Sequence, residues 1–498
     1  MNVNPITRLD YPDPDVIRVE DTYYMVSTTM HFMPGCEILQ SFDLVHWEHV
    51  TYVYETLDHT DAQQLKSGQN IYGQGMWAAS LRYHEGRFYI CFVANDTRKT
   101  YLYTSEKIDG PWKKQLIEGF YHDGSLLFDE DGRNYIVYGN DEIWITELNE
   151  DLTAPKKDGL HRLLVSDHKN PELGYEGSHI QKINGYYYIF LVHSLRDRWM
   201  RTEACFYSDS LEGEFTGGDV LCDDRGYCGQ GVAQGGIVDT PDGKWYAMLF
   251  QDSGAVGRIP ILLPVTWKDH FPVFGQNGHV PEEIEVHSTR PGYIYQPLVG
   301  SDDFCNGLLP RWQFNHDPDP RYYHLDALQG TYTITTREVC TELTQAVNTL
   351  TQRMSYPSCA AEVTVDASAL KEGDVAGLCA LQGCYAAVGI TKHHGKYEVL
   401  MLDKKEDGIL DMTEGTVVES HQMDFRLEAD FCNMKDEARC YYRVNKGDWL
   451  PIGTVHKLYF KLDHFTGCRF GLFCYAAEEK GGSACFRDFK YYDVDEIS

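Results

Sequence analysis

Residues 123–135 read Asp-Gly-Ser-Leu-Leu-Phe-Asp-Glu-Asp-Gly-Arg-Asn-Tyr, and this phrase has counterparts through the first 250 residues. In four copies, a polar or aromatic residue stands nine positions before a Gly and twelve before a Tyr. These copies begin at Trp77, Asp123, Glu176 and Gln234, and a copy one residue shorter begins at Asp13. The pattern predicts a strand, a tight turn and an aromatic strand. Successive copies start 64, 46, 53 and 58 residues apart, which predicts a radial β-repeat with one blade per copy.

A second pattern accompanies the phrase and indicates the outer hairpin of each blade. It is a Ser followed by a turn and an aromatic residue, as in the segments 41–47, 105–112 and 208–215. Each unit therefore supplies about four strands, as expected for a propeller blade. We predict an all-β fold that begins with a five-bladed β-propeller over residues 1–297.

The rest of the chain has a different rhythm. Residues 289–304 are rich in turn formers and lack a strand pattern, so they mark a domain boundary. Beyond them, alternating runs are separated by Gly and Asp turns, and the five-fold phrase is absent. This pattern predicts a concanavalin-like β-sandwich of roughly a dozen strands over residues 303–498. A chain of 498 residues also exceeds what one core usually holds.

The composition limits which partners and which cellular compartment we expect for this protein. The formal net charge of −31 argues against nucleic acid and anionic membranes as partners, because both attract basic surfaces. We expect a neutral substrate, and the sequence leaves a homo-oligomer open. The N-terminal segment has no basic region followed by an apolar stretch. The fifteen cysteines form no Cys-x-x-Cys pair, so we expect free thiols in a reducing compartment, which here means the cytoplasm.

Three of the five leading positions are carboxylic acids, namely Asp13, Asp123 and Glu176. The innermost strands of a propeller surround one axis, so residues at one register converge even when they lie far apart in sequence. Three acids at one mouth cannot all ionise freely, and we expect the pKa of at least one to rise. One protonated and one ionised carboxyl group is what glycoside hydrolysis requires. The alternative is that these acids cap turns or bind a structural cation.

The chain also resembles family 43 of the glycoside hydrolases, in the branch of β-xylosidases and α-L-arabinofuranosidases with a C-terminal sandwich. The similar phrases keep the family's order, and they include Tyr11-Pro-Asp-Pro-Asp15, Gly75-Met-Trp-Ala-Ala-Ser80, Tyr175-Glu-Gly-Ser-His179 and the run from Gly257 to Trp267. The resemblance implies an inverting mechanism and no required cofactor. It implies that Asp13 is the general base and Glu176 the general acid. Asp123 would orient the acid and keep its pKa high.

The resemblance further implies a substrate-binding set. Its members are Trp77, Arg258, Met30, Phe32, Gln234 and Phe465. Trp77 would stack on a sugar ring, with packing between blades as the alternative. Arg258 would bind sugar hydroxyls unless it is a surface loop residue, and Phe465 would reach back from the sandwich to close the pocket. Met30 and Phe32 would form an apolar wall of the sugar site, with apolar core as the alternative.

One departure concerns the metal. Many relatives place a His near the fifth copy, where it helps hold a water or calcium ion at the channel centre, whereas this chain has Gln234. Calcium therefore stays open, with His179 and His193 as nearby candidates. The resemblance implies an exo-glycosidase that releases xylose from β-1,4-xylooligosaccharides, and arabinofuranose from suitable arabinoxylooligosaccharides. The alternatives are an enzyme that is mainly an α-L-arabinofuranosidase and a non-catalytic carbohydrate-binding protein.

Overall fold

A computed structural model describes residues 2–493, so Met1 and the last five residues of the predicted sandwich lie outside the described residues. The described chain is almost entirely β-structure. Its helical segments are four 3₁₀ turns of three residues each, at Lys66–Gly68, Gly254–Val256, Leu343–Gln345 and Cys432–Met434. No helix in residues 2–493 has the length and apolar character needed to span a membrane.

Five four-stranded antiparallel sheets form the first part of the chain, and we number them blades 1 to 5 in chain order. Blade 1 comprises Asp15–Val19, Thr22–Val26, Gly35–Ser41 and Glu48–Tyr54. Blade 2 comprises Met76–His84, Arg87–Ala94, Lys99–Ser105 and Lys113–Ile117. Blade 3 comprises Ser125–Phe128, Asn134–Asn140, Glu142–Leu148 and His161–Ser166. Blade 4 comprises Glu176–Ile183, Tyr186–Ser194, Arg201–Ser208 and Thr216–Leu221. Blade 5 comprises Val232–Asp239, Trp245–Asp252, Arg258–Lys268 and Phe271–Phe274.

The blades close into a ring. The first strand of each blade contacts the first strand of the next, and that of blade 5 contacts that of blade 1. The predicted five-bladed propeller is therefore confirmed. A two-stranded sheet of Asn2–Val3 and Glu283–Ile284 joins the two ends of this region.

The tight turns inside the blades follow from local sequence. In blade 4, Asn184 has φ 50° and Gly185 has φ 86°. Two consecutive left-handed residues define the turn that matches the twist of a two-residue hairpin, and Asn-Gly adopts it readily. The strand that follows, Tyr186–Ser194, is buried at all but its first residue. A polar turn followed by an apolar strand therefore repeats as the structural unit of each blade.

The second part of the chain is a sandwich of two sheets, as predicted. The larger sheet has nine strands: Leu410–Met412, Lys396–Lys404, Ala386–His393, Asp374–Leu381, Arg469–Ala476, Leu350–Arg353, Gln313–Asn315, Phe32–Met33 and Thr416–Val418. The smaller sheet has seven: Tyr323–Asp326, Thr331–Thr335, Ser483–Asp493, Ser358–Asp366, Gln422–Asp430, Glu437–Val444 and Leu450–Lys457. One strand of the larger sheet, Phe32–Met33, belongs to the propeller half of the chain, so the two halves share a sheet.

Buried polar contacts also join the two halves. The Asp10 carboxylate accepts hydrogen bonds from the backbone N–H of Arg258 in blade 5 and of Gly467 in the sandwich, at 2.7 and 2.8 Å. The Arg353 guanidinium of the sandwich pairs with Glu37 of blade 1 at 2.8 Å. The Asp10 contacts hold a sandwich loop, residues 458–468, next to the propeller loop that precedes Arg258.

Candidate active site

The five leading residues of the repeat line a single cavity of about 530 Å³. They are Asp13, Trp77, Asp123, Glu176 and Gln234, one from each blade. The cavity volume lies within the range of about 300–1,000 Å³ that is usual for small-molecule sites. The repeat therefore does bring these five side chains together, although its members are far apart in sequence.

Local backbone irregularities direct these side chains into the cavity. The strand pairing shifts register next to the leading residue in blades 2, 4 and 5, between Met76 and Ala79, Glu176 and His179, and Ala233 and Gly236. Such bulges re-aim a side chain relative to a regular strand. Asp13, Asp123 and Gln234 have left-handed backbone with φ of 52°, 47° and 65°. Non-glycine residues in this region carry strain that is concentrated at functional sites.

Asp13 is held by two partners and is only 6% exposed. The Thr28 hydroxyl donates a hydrogen bond to its Oδ2 at 2.6 Å. Arg258 Nη1 donates to its Oδ1 at 3.0 Å. Both partners are hydrogen-bond donors, so they fix the orientation of the carboxylate at the cavity.

Arg258 is 2% exposed and lines the same cavity. Its Nε and Nη2 are buried, and they have no hydrogen-bond partner among the described residues. A buried donor without a partner costs free energy, so these groups are poised for a ligand that supplies acceptors. The Phe465 ring lies 4.3 Å from the guanidinium carbon and covers one face. The sequence interpretation of Arg258 as a group for sugar hydroxyls fits this arrangement.

Asp123 and Glu176 form an adjoining pair of acids. The backbone N–H of Gly177 donates to Asp123 Oδ2 at 3.0 Å. Burial raises the pKa of Asp123 to about 6; nearby His122 opposes the rise, whereas the charges of Glu176 and Asp13 add to it. Glu176 is more open, with 17% of its side chain exposed. The expectation that an acid in this cluster has a raised pKa is met at Asp123.

The sandwich supplies one wall of the cavity. Phe465 lies 5.6 Å from Trp77 between ring centroids, and Phe460 lies 5.6 Å from Phe465. Lys461, Leu462 and Met434 add to this wall. Phe465 therefore reaches the cavity as the sequence predicted. The indole of Trp77 lines the cavity beside it, so the site offers aromatic surfaces next to polar groups, which is how sugars are commonly held.

Met30 and Phe32 are placed differently from the prediction, because neither lines the cavity in the described structure. Met30 is 1% exposed and bridges to the backbone of Met76. Phe32 is fully buried under the Arg469 guanidinium and pairs with Asn315 of the sandwich. The segment is recruited as an edge strand of the nine-stranded sheet, so it forms interdomain core and no wall of the sugar site.

Both histidines considered for calcium contact carboxylates of the protein. His179 Nδ1 contacts Asp15 at 3.1 Å, and Asp15 also pairs with Arg82. His193 lies between Asp167 and Asp219 and is outside the cavity. The described residues contain one group of three side chains with metal-ligand spacing, and it is His122 with the acids Asp123 and Glu176. Calcium prefers six to eight oxygen ligands, which an imidazole-containing trio does not match. The reaction proposed below uses no metal ion.

Sequence reasoning missed several residues of this cavity. They include His122, Asn140, Trp199, Arg201 and Asp252. Arg201 Nε pairs with Asp252 at 2.9 Å, and its guanidinium lies 5.3 Å from the Trp199 ring. His122 had a usable signal, because it directly precedes a leading acid. The others lie at strand ends or in loops with no repeated spacing, so the pattern contained no signal for them.

Comparison with known proteins assigns the family. The model of "Glycosyl hydrolases family 43" matches residues 3–272, and that of "Beta xylosidase C-terminal Concanavalin A-like domain" matches residues 301–492. The chain belongs to glycoside hydrolase family 43. It is a glycoside hydrolase, and enzymes of this family invert the anomeric configuration.

Individual family 43 proteins are similar over nearly the whole chain. A solved structure described as a bifunctional GH43-CE protein of Bacteroides eggerthii is 42% identical, with a TM-score of 0.92 over 99% of this chain. This chain spans 64% of that protein's length. A β-xylosidase of Formosa agariphila is 27% identical over 99% of this chain and 89% of its own length. A xylosidase/arabinosidase of Butyrivibrio fibrisolvens is 24% identical over 99% of both chains.

Proposed function

We propose that this family 43 enzyme is an inverting exo-glycosidase. It releases D-xylose from the non-reducing ends of β-1,4-xylooligosaccharides, and it also releases L-arabinofuranose from arabinoxylooligosaccharides. The observation that carries the proposal is the convergence of three carboxyl groups on one cavity beside the unpartnered donors of Arg258. A site with both features can bind a neutral sugar and transfer protons to and from it.

Each acid has its own role in the proposal. Glu176 donates a proton to the glycosidic oxygen, and the bond from that oxygen to the anomeric carbon breaks. Asp13 removes a proton from a water molecule, whose oxygen bonds to the anomeric carbon from the opposite face. The buried, hydrogen-bonded state of Asp13 supports the basic role. Asp123 adds negative charge beside Glu176 and orients it through the backbone of Gly177.

The exo mode is supported by the wall that the sandwich contributes. Phe465 and the segment 460–462 cover one side of the cavity. A covered pocket accepts the end of a chain, whereas binding along a polymer needs an open groove. The preference for pentoses is supported by the relatives, which are named as a β-xylosidase and as a xylosidase/arabinosidase. The second relative's name includes both activities, so the alternative of a mainly arabinofuranoside-cleaving enzyme is tested beside the proposal.

Substrate preference is tested with initial rates on 4-nitrophenyl β-D-xylopyranoside, 4-nitrophenyl α-L-arabinofuranoside and xylobiose. A kcat/KM that is higher on the xyloside, together with cleavage of xylobiose, supports the proposal. Activity confined to the arabinofuranoside selects the alternative. NMR of the first product is expected to show α-xylose from a β-xyloside, and β-xylose as the first product would refute inversion.

The catalytic roles are tested with Glu176→Gln and Asp13→Asn. Each variant keeps the shape of the side chain and loses the proton chemistry, so kcat is expected to fall by a factor of about 10² or more while xylose binding persists. Asp219→Asn is a matched control, because this blade 4 acid lies outside the cavity. Wild-type turnover in either active-site variant would refute the role assigned to that acid.

A cytoplasmic location is part of the same proposal. All fifteen cysteines lie within residues 2–493 as free thiols, and ten of them are buried. Free thiols persist in reducing compartments. Fractionation of the native host, with activity and antibody detection in each fraction, tests the location. Recovery of the protein mainly outside the cytoplasm would overturn this part.

A further inference from the structure

His122 stands beside both members of the acid pair, in a position that the proposed reaction leaves without a role. It lines the cavity, and its Nε2 lies 3.4 Å from Glu176 Oε2 and 3.6 Å from Asp123 Oδ2. The imidazole also packs edge-on against Trp77, with 5.8 Å between ring centroids. The ring is therefore fixed between the aromatic wall and the two acids.

The two oxygens of Glu176 have different surroundings. Asn140 Nδ2 donates to Oε2 at 2.7 Å, and His122 Nε2 contacts the same oxygen. Glu176 Oε1 accepts no hydrogen bond from any residue in the described range 2–493. A proton shared with substrate therefore belongs on Oε1, because Oε2 is occupied by two protein groups.

The charges around His122 favour its protonated form. Burial alone would lower the pKa of His122, but the charges of Asp123, Glu176 and Asp13 raise it to about 9. An imidazolium carries a hydrogen on Nε2, so it donates towards the Glu176 carboxylate. Hydrogen bonds from a charged donor are about twice as strong as neutral ones.

We infer that His122 is a positioning residue that acts together with Asn140 to clamp Oε2 of Glu176. The clamp directs Oε1 towards the glycosidic oxygen and stabilises the carboxylate that remains after proton donation. The inference rests on the proposed function. During the step, the proton leaves Oε1 for the glycosidic oxygen, the bond between the anomeric carbon and that oxygen breaks, and its electron pair stays on the oxygen. His122 keeps its own proton throughout.

A dependence on the leaving group separates this role from a purely structural one. In a 2,4-dinitrophenyl xyloside the dinitrophenolate group leaves without being protonated. The leaving groups of phenyl xyloside and xylobiose need a proton from the general acid. The experiment compares kcat/KM of wild type, His122→Phe and His122→Gln on these three substrates. His122→Phe keeps a ring and removes the donor, whereas His122→Gln keeps a neutral donor. His161→Phe is the control, because this exposed histidine of blade 3 lies outside the cavity.

We expect His122→Phe to lose at least about tenfold more on phenyl xyloside and xylobiose than on the dinitrophenyl substrate, since general acid catalysis contributes about 10²–10⁴. We expect His122→Gln to recover part of that loss. The acidic limb of the pH profile should move to higher pH in His122→Phe, because His122 opposes the rise in the pKa of Asp123, and the proposed reaction uses Asp123 in its ionised form.

Two results overturn the inference. An active wild-type enzyme with an equal loss on all three substrates in His122→Phe would show that the imidazole does not act through the general acid. An unchanged acidic limb in that variant would contradict its electrostatic role. A wild-type enzyme inactive on every pentoside, natural or synthetic, refutes the proposed function, and with it the inference.

Discussion

Three buried imidazoles at the junction of the propeller and the sandwich should make the protein sensitive to acid. His31, His316 and His464 pack together, with ring centroids 4.8 Å apart between His31 and His316 and 4.9 Å apart between His31 and His464. His31 and His464 have no hydrogen-bond partner on either nitrogen among the described residues. Burial lowers the pKa of all three well below the ordinary value, and burial together with Arg469 lowers that of His464 to about 3.

The size of the effect follows from proton uptake. In the unfolded chain an imidazole titrates near 6.5, so it takes up a proton between pH 7 and pH 5. Folded His464 does not, because its pKa is about 3. The unfolded state therefore gains about 2 kcal/mol over this interval for each such imidazole, and the free energy of unfolding falls by that amount. A loss of about 2 kcal/mol is a substantial part of the 5–15 kcal/mol typical of a domain. The lowered pKa values of His31 and His316 act in the same direction.

Comparison with a variant isolates this contribution. Several buried carboxyl groups, such as Asp374 and Asp436, have a pKa raised to about 6, and their protonation stabilises the fold as the pH falls. Their effect is common to wild type and variant, so it cancels in the difference. His464→Phe keeps a ring at the position and removes the titration. Its stability relative to wild type should increase by about 2 kcal/mol from pH 7 to pH 5.

Urea unfolding followed by Trp fluorescence at pH 7, 6 and 5 measures this difference. The control is His287→Phe, because His287 is exposed, with 66% of its side chain accessible. The control should track wild type at every pH. A difference between His464→Phe and wild type that stays constant from pH 7 to pH 5 would refute the reasoning, since it would mean that folded His464 takes up a proton as readily as the unfolded chain.

Three further predictions concern the site and the junction. Gly177→Ala should lower kcat by about tenfold or more, because Gly177 has φ 65° and an added Cβ would lie 2.7 Å from the Gln234 side chain. Steady-state kinetics on an aryl xyloside measure this effect, and an unchanged kcat would contradict the prediction. Arg353→Met should cost about 3–5 kcal/mol, because the buried carboxylate of Glu37 loses its guanidinium partner and keeps the contact with His49. Urea unfolding measures this loss, and a cost below about 1 kcal/mol would disprove it. Asp10→Ala should raise KM more than it lowers kcat, because the backbone N–H groups of Arg258 and Gly467, in two loops beside the cavity, lose their acceptor. Steady-state kinetics measure both constants, and equal effects on the two would contradict the prediction.

The five-bladed fold could be predicted because its signals are local. A hairpin turn and its flanking strands lie within about fifteen residues, and the left-handed pair Asn184 and Gly185 is favoured by the identity of those residues alone. Repetition then identified the equivalent positions. In a propeller, residues at the same register of different blades lie close together around the axis. The leading residues Asp13, Asp123 and Glu176 could therefore be grouped from the sequence, and all three line one cavity.

Other parts of the site lacked such a signal. Asn140 ends a strand of blade 3, and nothing in its neighbourhood marks it as a partner of Glu176. Met30 and Phe32 show the opposite case, because an apolar segment near the site became an edge strand of the nine-stranded sheet. The choice between wall and core depends on what packs against the segment, and here that partner lies nearly 300 residues away.

By itself, the sequence determined the blades, the sandwich and the register that collects the acids, because alternation and turn chemistry act between neighbouring residues. Only the tertiary structure decided which groups surround each acid. Contacts between distant segments make these surroundings: Phe465 covers Arg258, Asp15 pairs with Arg82, and His122 lies beside Glu176. Their energies depend on distance and burial, and these quantities exist only after the chain has closed its ring and docked the sandwich against it.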